Sequence, residues 1–284
     1  MTKVLVTGST GFIGQQLLLK LRSCQYDIIE VSSLNGDIAD KVTWSHFDHA
    51  DVLVHLAGST FVPDSWKDPY SFLKTNFIGT VCALDYCRQH DVKLIYLSSY
   101  LYGNPSLLPI LETAPLVANN PYALSKKMAE DVCRFYAEFY RLKITIFRPF
   151  NVYGPGQSEH FLIPSLINQV LAGNTICVKD LEPRRDYVYI DDLVDAIMKA
   201  VDSDINFEIF NIGVGISYSV AELINIIQNI KGTNLMVESA GERRPEEVMD
   251  TQADILKARE ILKWFPKYSL RAGLEKIFDL NEYI

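Results

Sequence analysis

"VLVTGSTGFIGQQLL" (Val4–Leu18) sets an apolar, β-branched run directly before three glycines spaced three apart. Val4 to Thr7 predicts a short strand, and Phe12 to Leu21 predicts the helix that follows it. Gly8, Gly11 and Gly14 therefore mark a strand-to-helix junction. At such a junction the first glycine permits a tight turn, the second lets a phosphate approach the backbone, and the third lets the helix pack on the strand. The helix N-terminus adds free N–H donors and a partial positive charge, which suit a pyrophosphate. A glycine triplet alone fits any glycine-rich turn, but in this strand–turn–helix setting it predicts a bound dinucleotide.

Working outward, strand-like runs alternate with helix-like ones. "DIIEVS" (27–32), "DVLVHLAG" (51–58), "VKLIYLSS" (92–99) and "LKITIFRPF" (142–150) read as strands. "DPYSFLKTNFIGTVCALDYCRQH" (68–90) and the stretch from Pro121 to Tyr140 carry apolar residues at helical spacing. Strands buried on both faces and separated by helices predict an α/β fold with a doubly wound parallel sheet. The rhythm loosens after Phe150. There "NVYGPGQ" (151–157) reads as a loop, "FLIPSLINQVLAG" as a helix, and "RDYVYIDDLVDAIMKAV" as a short strand running into a helix. Ser219 and Glu222 form a capping box before another helix. The expectation is a dinucleotide-binding domain over residues 1–150. Residues 151–284 would mainly form a smaller C-terminal substrate-binding lobe, with some segments returning to the first domain.

Composition narrows the function classes. The chain has 284 residues, a formal net charge of −8, and no block of Lys and Arg. Nucleic acid and anionic membranes are therefore not the expected partners. No apolar run approaches the roughly 18 residues that span a bilayer, and no secretory leader is visible. Cys24, Cys82, Cys87, Cys133 and Cys177 have no metal-ligand spacing, and an odd number of scattered thiols predicts a reduced, cytoplasmic protein. The five histidines likewise form no metal-like pattern, so no metal is expected.

"NPYALSKKMAE" supplies the candidate chemistry. Tyr122 and Lys126 lie four apart, which puts both on one face of a helix. A tyrosine is a poor base at its reference pKa of about 10. A nearby ammonium and a cationic nicotinamide ring would each favour the phenolate, and an opposite charge at close range lowers a pKa by about 1–3. Such a phenol can exchange a proton with a sugar hydroxyl while hydride moves to or from a cofactor. Ser98 and Ser99 end a strand at the sheet's carboxyl edge, where a hydroxyl can orient the substrate oxygen. Asn76 is a polar residue in an otherwise apolar helix. At the ribose end, the second strand finishes Val31-Ser32-Ser33 without the acidic residue that usually accepts from the ribose hydroxyls of NAD. Ser32 permits NADP as well as NAD.

Together these residues resemble the extended short-chain dehydrogenase/reductase family, in its nucleotide-sugar epimerase/dehydratase branch. The resemblance runs along nearly the whole chain through "TGSTGFIG", "GDI", "HLAG", "TNFIGT", "SSYLYG", "YALSK", "RPFNVYGPGQ", "RDYVYIDD", "FNIG" and "RRPEEV". It implies a Rossmann domain binding NAD or NADP. Gly8, Gly11, Phe12, Ile13 and Gly14 would hold the pyrophosphate, with Ser32, Asp37, Ile38, Leu56, Ala57, Asn76 and Lys126 along the rest of the cofactor. Ser98, Tyr122 and Lys126 fall at the family's catalytic positions, and Ser98, Tyr122, Asn151, Arg185 and Arg244 at sugar-nucleotide ligands. The implied function is hydride transfer at C4 of a nucleotide sugar, as a 4-epimerase or as an NADPH-dependent reductase of a 4-keto-6-deoxy sugar. Dehydratase relatives carry Glu two residues after the catalytic hydroxyl residue; this chain has Tyr100 there, which argues against dehydration. A non-enzymatic dinucleotide sensor would not need Ser98, Tyr122 and Lys126 together. The stretch between the second strand and "HLAG" is short, so the family's usual third strand is expected to be trimmed. Look-alikes also imply a homodimer formed through the helices that include Tyr70 to His90 and Pro121 to Tyr140.

Overall fold

β1 (Lys3–Thr7) sends Val4 and Val6 into one apolar layer and Leu5 into the other, so it is buried on both faces. The structure is a computed structural model that describes residues 1–242 and 247–281. After β1 come α1 (Phe12–Ser23) and β2 (Asp27–Val31), which pairs with β1 in parallel. A 3₁₀ turn (Ser33–Asn35) and the single-turn α2 (Lys41–Trp44) lead to β3 (Val52–His55) on the other side of β1. No further strand fits between them, so β2 is the edge of the sheet, as the short spacing predicts. The chain continues through α3 (Val62–Lys67), α4 (Pro69–Phe72), a π-helical turn (Leu73–Ile78), α5 (Gly79–His90), β4 (Lys93–Leu97), α6 (Pro121–Tyr140) and β5 (Ile144–Pro149). α6 starts where it does because Asn120 caps it, accepting from the Ala123 N–H, with Pro121 in the first turn.

β6 (Asn151–Tyr153) falls inside the stretch that reads as a Pro/Gly loop; it forms because it pairs with β8. Then follow α7 (Leu162–Leu171), β7 (Ile176–Val178), β8 (Arg184–Tyr189), α8 (Ile190–Val201) and β9 (Phe207–Ile212). β9 adds in parallel to β5 and completes a six-stranded sheet of order β2-β1-β3-β4-β5-β9. α1 and α8 cover one face, and α5 and α6 the other. The fold is the doubly wound parallel sheet expected from the sequence. β10 (Ser217–Ser219), α9 (Val220–Lys231), β11 (Val237–Ser239), β12 (Asp250–Thr251), α10 (Leu256–Glu260) and α11 (Leu270–Asn281) finish the chain. β10 and β12 flank β8, and β11 pairs with β7. This second region lies after the carboxyl end of β5.

Two constraints set the site's frame. The first is the close approach at the opening glycines. Gly8 has φ +70°, and a Cβ there would meet the Ala57 backbone nitrogen at 2.8 Å. A Cβ on Gly14 would sit 2.2 Å from the Gly8 carbonyl oxygen. The second is a buried ion pair. Arg148 of β5 and Glu130 of α6 are 1% and 0% exposed, and their closest contact is 2.6 Å. Arg148 also donates to the Tyr102 hydroxyl and the Glu112 carbonyl, both at 2.9 Å. Tyr102 in turn donates to Asn211 of β9 at 2.5 Å. A buried ion pair holds only when its remaining hydrogen-bonding capacity is met, and here Ser98, Tyr102 and Glu112 meet it.

Gly14→Ala is expected to destabilise the protein by about 1–3 kcal/mol or more through overpacking against backbone. Denaturant unfolding reads the loss, and cofactor titration should show weakened binding because the turn must open. Glu130→Ala is expected to cost about 3–5 kcal/mol by stranding Arg148. The double change Glu130→Leu with Arg148→Met should recover much of that loss, which a double-mutant cycle measures.

Candidate functional site

The carboxyl ends of β1, β3, β4 and β5 lie along one edge of the parallel sheet, the edge at which a doubly wound fold gathers its ligands. At β1 the turn through Gly8 and Gly11 leads into α1, and Gly11 is the residue before its first turn. Phe12 and Ile13 are half-buried there. β3 is followed by Leu56, Ala57 and Gly58, all partly exposed. The Thr7 hydroxyl accepts from the Ala57 N–H at 3.2 Å and lies 2.8 Å from His55 Nδ1. Burial drives His55 down to about 3, so the imidazole is neutral.

Asn76 sits in the π-helical turn and is 1% exposed. Its Oδ1 accepts from the Ser59 N–H at 2.8 Å, and its Nδ2 donates to the Ser59 carbonyl at 3.0 Å and to Ser125 at 2.9 Å. A Cβ on Gly58 would meet Asn76 Oδ1 at 2.8 Å and Lys126 Nζ at 3.5 Å. The end of β3, the Asn76 amide and the Lys126 ammonium therefore converge. This cradle of missing side chains fits a dinucleotide laid across the sheet's edge.

Lys126 is buried on the inner face of α6. Its ammonium donates to the Leu97 carbonyl at 2.8 Å and lies 5.0 Å from the Tyr96 ring centroid. Burial lowers its pKa to about 8 against the pull of Glu130. Tyr122 lies one turn earlier, crowded by protein although part of the residue stays open to solvent. Burial raises the phenol to about 12, opposed by a hydrogen bond with Ser99, and Lys126 is not among the groups that lower it.

Ser98 and Ser99, which follow β4, have different surroundings. Ser98 is buried, and its hydroxyl donates to Glu130 at 2.5 Å, inside the ion-pair network. Ser99 is the half-exposed hydroxyl that reaches Tyr122. Both follow Leu97, the last residue of β4, the first buried and the second half-exposed. Glu130, which fixes Ser98, escaped the sequence reading; its signal was its place four residues after Lys126 on the same face of α6.

The remaining expected residues scatter. Ser32 caps the 3₁₀ turn, accepting from the Leu34 N–H and donating to Asn35 Oδ1, both at 3.3 Å. Glu30 turns outward to Arg22. Asp37 pairs with Lys74 at 2.7 Å, a contact that holds its carboxyl below the usual range. Ile38 is buried against Gly79. Asn151 follows β5, accepting from the Tyr100 hydroxyl at 3.1 Å and donating to the Asp186 carbonyl at 3.2 Å. Arg185 is not presented as a free fork: it pairs with Glu247 and donates to the Arg184 and Val248 carbonyls at 2.8 and 2.6 Å. Arg244 lies outside the described residues. Among the described residues, no His, Cys, Asp and Glu cluster suits a metal, and no helix is long and apolar enough to cross a membrane.

Known proteins share both sequence and fold. A family model described as "NAD dependent epimerase/dehydratase family" matches residues 4–213. A putative UDP-glucose 4-epimerase of Methanocaldococcus jannaschii is 32% identical, over 97% of this chain and 97% of its own. The GDP-6-deoxy-D-mannose reductase of Pseudomonas aeruginosa is 28% identical, over 98% and 96%. The crystal structure of a UDP-glucose 4-epimerase from Thermotoga maritima with UDP-glucose superposes with a TM-score of 0.92 at 29% identity, covering 99% of both chains. On the family match and the full-length relatives, the chain belongs to the NAD dependent epimerase/dehydratase family.

Proposed function

We propose that the protein is an NAD(P)-dependent nucleotide-sugar 4-epimerase in which Tyr122 exchanges a proton with the C4 hydroxyl of the sugar. The observation that carries this is the convergence of Lys126, Asn76 and Gly58 at one sheet edge, with Tyr122 one turn before Lys126 on α6. Gly8, Gly11, Phe12, Ile13 and Gly14 hold the dinucleotide's pyrophosphate, with Ser32, Asp37 and Ile38 toward its adenosine. Leu56, Ala57, Asn76 and Lys126 hold the nicotinamide end. Bound NAD(P) would supply the hydride acceptor and donor for chemistry at C4.

Everything else falls to the chain. Tyr122 takes the hydroxyl proton in the first half and gives it back in the second. With its phenol at about 12 in the protein alone, Tyr122 rests protonated and becomes a base only as positive charge gathers beside it. Ser99 holds the substrate oxygen against Tyr122, a role the sequence reading gave to Ser98. Asn151 and, once released from Glu247, Arg185 contact the sugar nucleotide, with Arg244 as a further ligand.

One observation favours a second reading, an NADPH-dependent 4-keto reductase. No carboxylate stands at the end of β2, because Glu30 is engaged by Arg22 and the strand's last residue, Val31, is followed by two serines. The same Tyr122 then gives its proton to the ketone oxygen and the reaction stops at the alcohol. A homodimer through α5 and α6 is supported by Leu124, Phe135 and Phe139, which stand exposed on α6. Free cysteines fit a reducing cytoplasmic setting.

Tyr122→Phe should lower kcat by about 10²–10⁴ while leaving cofactor affinity intact. Ser99→Ala should lower kcat by roughly ten- to a hundredfold, the worth of a hydrogen bond to developing charge. Ser98→Ala should instead cost about 1–3 kcal/mol of stability with little effect on kcat. Assays on UDP- and GDP-linked hexoses and 4-keto sugars decide the class. Interconversion of C4 isomers with catalytic cofactor supports the epimerase; stoichiometric loss of NADPH with a 4-keto sugar rejects it.

A further inference from the structure

The segment 154–161 joins β6 to α7, and its two ends rest beside the two strand ends that frame the dinucleotide cradle. At the first end, a Cβ on Gly154 would meet Ile190 Cγ2 at 2.4 Å and Phe12 Cζ at 3.7 Å. Phe12 opens α1 directly after Gly11, in the turn that follows β1. At the other end, the Phe61 ring lies 6.0 Å from the His160 ring, tilted by 42°. It lies 6.4 Å from the Phe161 ring, edge-on at 76°. Phe61 immediately precedes α3 and stands three residues after Gly58, the point on which Asn76 and Lys126 converge. The segment therefore runs from beside the glycine turn after β1 to the connection after β3.

Its two ends are held differently. Hydrogen bonds shape the segment from within: the Gln157 N–H donates to the Gly154 carbonyl at 3.3 Å, and the Phe161 N–H to the Ser158 carbonyl at 3.1 Å. The Gln157 amide also donates back to the Val152 carbonyl of β6 at 2.9 Å. Across to Phe61 the contacts are between rings. His160 and Phe161 stay exposed, and Phe61 is half-buried. Rings that meet at a surface can part without breaking a hydrogen bond, so this is the end that opens first.

One atom of the segment is prepared for a ligand. Gln157 Oε1 is buried without a hydrogen-bond partner. A buried acceptor left unpaired is costly, and a donor from a bound molecule relieves that cost. The ribose hydroxyls and the carboxamide of a nicotinamide dinucleotide are donors of this kind.

We propose that the segment 154–161, closed on Phe61 by His160 and Phe161, is a strap over the bound dinucleotide that sets how fast the cofactor enters and leaves. The inference rests on the reading that NAD(P) lies across the turn of Gly8, Gly11 and Gly14, and it bears on the 4-epimerase. There the hydride returns to the sugar within one cycle, so no exchange of cofactor is needed between turnovers. A reductase needs that exchange at every turnover, and a strap would then limit its rate.

Release is read by stopped flow on the full chain carrying Tyr122→Phe, so that no turnover interferes. Protein loaded with NADH or NADPH is mixed with an excess of the oxidised form, and the decay of the reduced nicotinamide's fluorescence is followed. Phe61→Ala, and His160→Ala combined with Phe161→Ala, should each speed release by about three- to tenfold. Uptake should quicken as well, because a strap obstructs both directions, so Kd moves less than either rate. Phe61→Tyr keeps the ring and should release at the parent's rate. Phe61→Leu keeps the bulk without the ring, should release faster than the parent, and serves if Phe61→Ala does not fold. Release rates that ignore these changes overturn the proposal, as does faster release with uptake unchanged, which would make the rings simple cofactor contacts. Absence of binding by both reduced cofactors overturns it together with the placement of the dinucleotide. Failure of the placement alone looks different, because Gly14→Ala would then leave cofactor affinity intact.

Discussion

The pairing of Glu130 with Arg148 is the constraint on which the site depends. It fastens the middle of α6 to β5 where both pass under the cleft, and its side branches reach Ser98 after β4, the segment around Tyr102 and Glu112, and β9. Tyr122 and Lys126 ride on the same helix, two turns and one turn before Glu130. Their height above the sheet edge is therefore set by a charge pair and not by apolar packing alone. Packing of Leu and Val tolerates small slides along a helix axis; a bidentate contact between a guanidinium and a carboxylate does not. The desolvation cost of placing two charges here is the counterpart of that precision.

Much of the fold was legible because parallel strands buried on both faces leave continuous apolar runs. Val52 to His55 and Lys93 to Leu97 are buried throughout, and each run is bounded by turn or helix signals. What escaped depended on partners far away in sequence. β6 is three residues long amid Pro and Gly, and it exists because β8 offers it an edge. β9 was noticed only through "FNIG", since its place beside β5 is a matter of pairing between distant segments. The π-helical turn was invisible because one extra residue leaves the apolar spacing around it nearly unchanged, although it is what seats Asn76.

In the site, residue types were legible and orientations were not. Gly8 and Gly14 could be read directly, since the geometry that demands them leaves no room for a Cβ. Ser98 and Ser99 are chemically identical, and only the direction in which β4 ends tells which hydroxyl meets the cleft. The spacing of Tyr122 and Lys126 was readable, but their burial was not, and burial is the largest influence on the acidity of each in the protein alone. Arg185 was identified by type, while its attachment to Glu247 comes from a segment more than sixty residues further along the chain.

That attachment changes how an anion would meet this arginine. A guanidinium facing water gains a full new ion pair when a diphosphate arrives. Arg185 is instead already seated on a carboxylate and two carbonyls. Any anion reaching it takes part in an exchange, displacing Glu247, so the net gain is the difference between two similar contacts. An internal competitor of this kind limits how tightly an anionic ligand is retained and gives the carboxylate a ready seat to return to when that ligand departs.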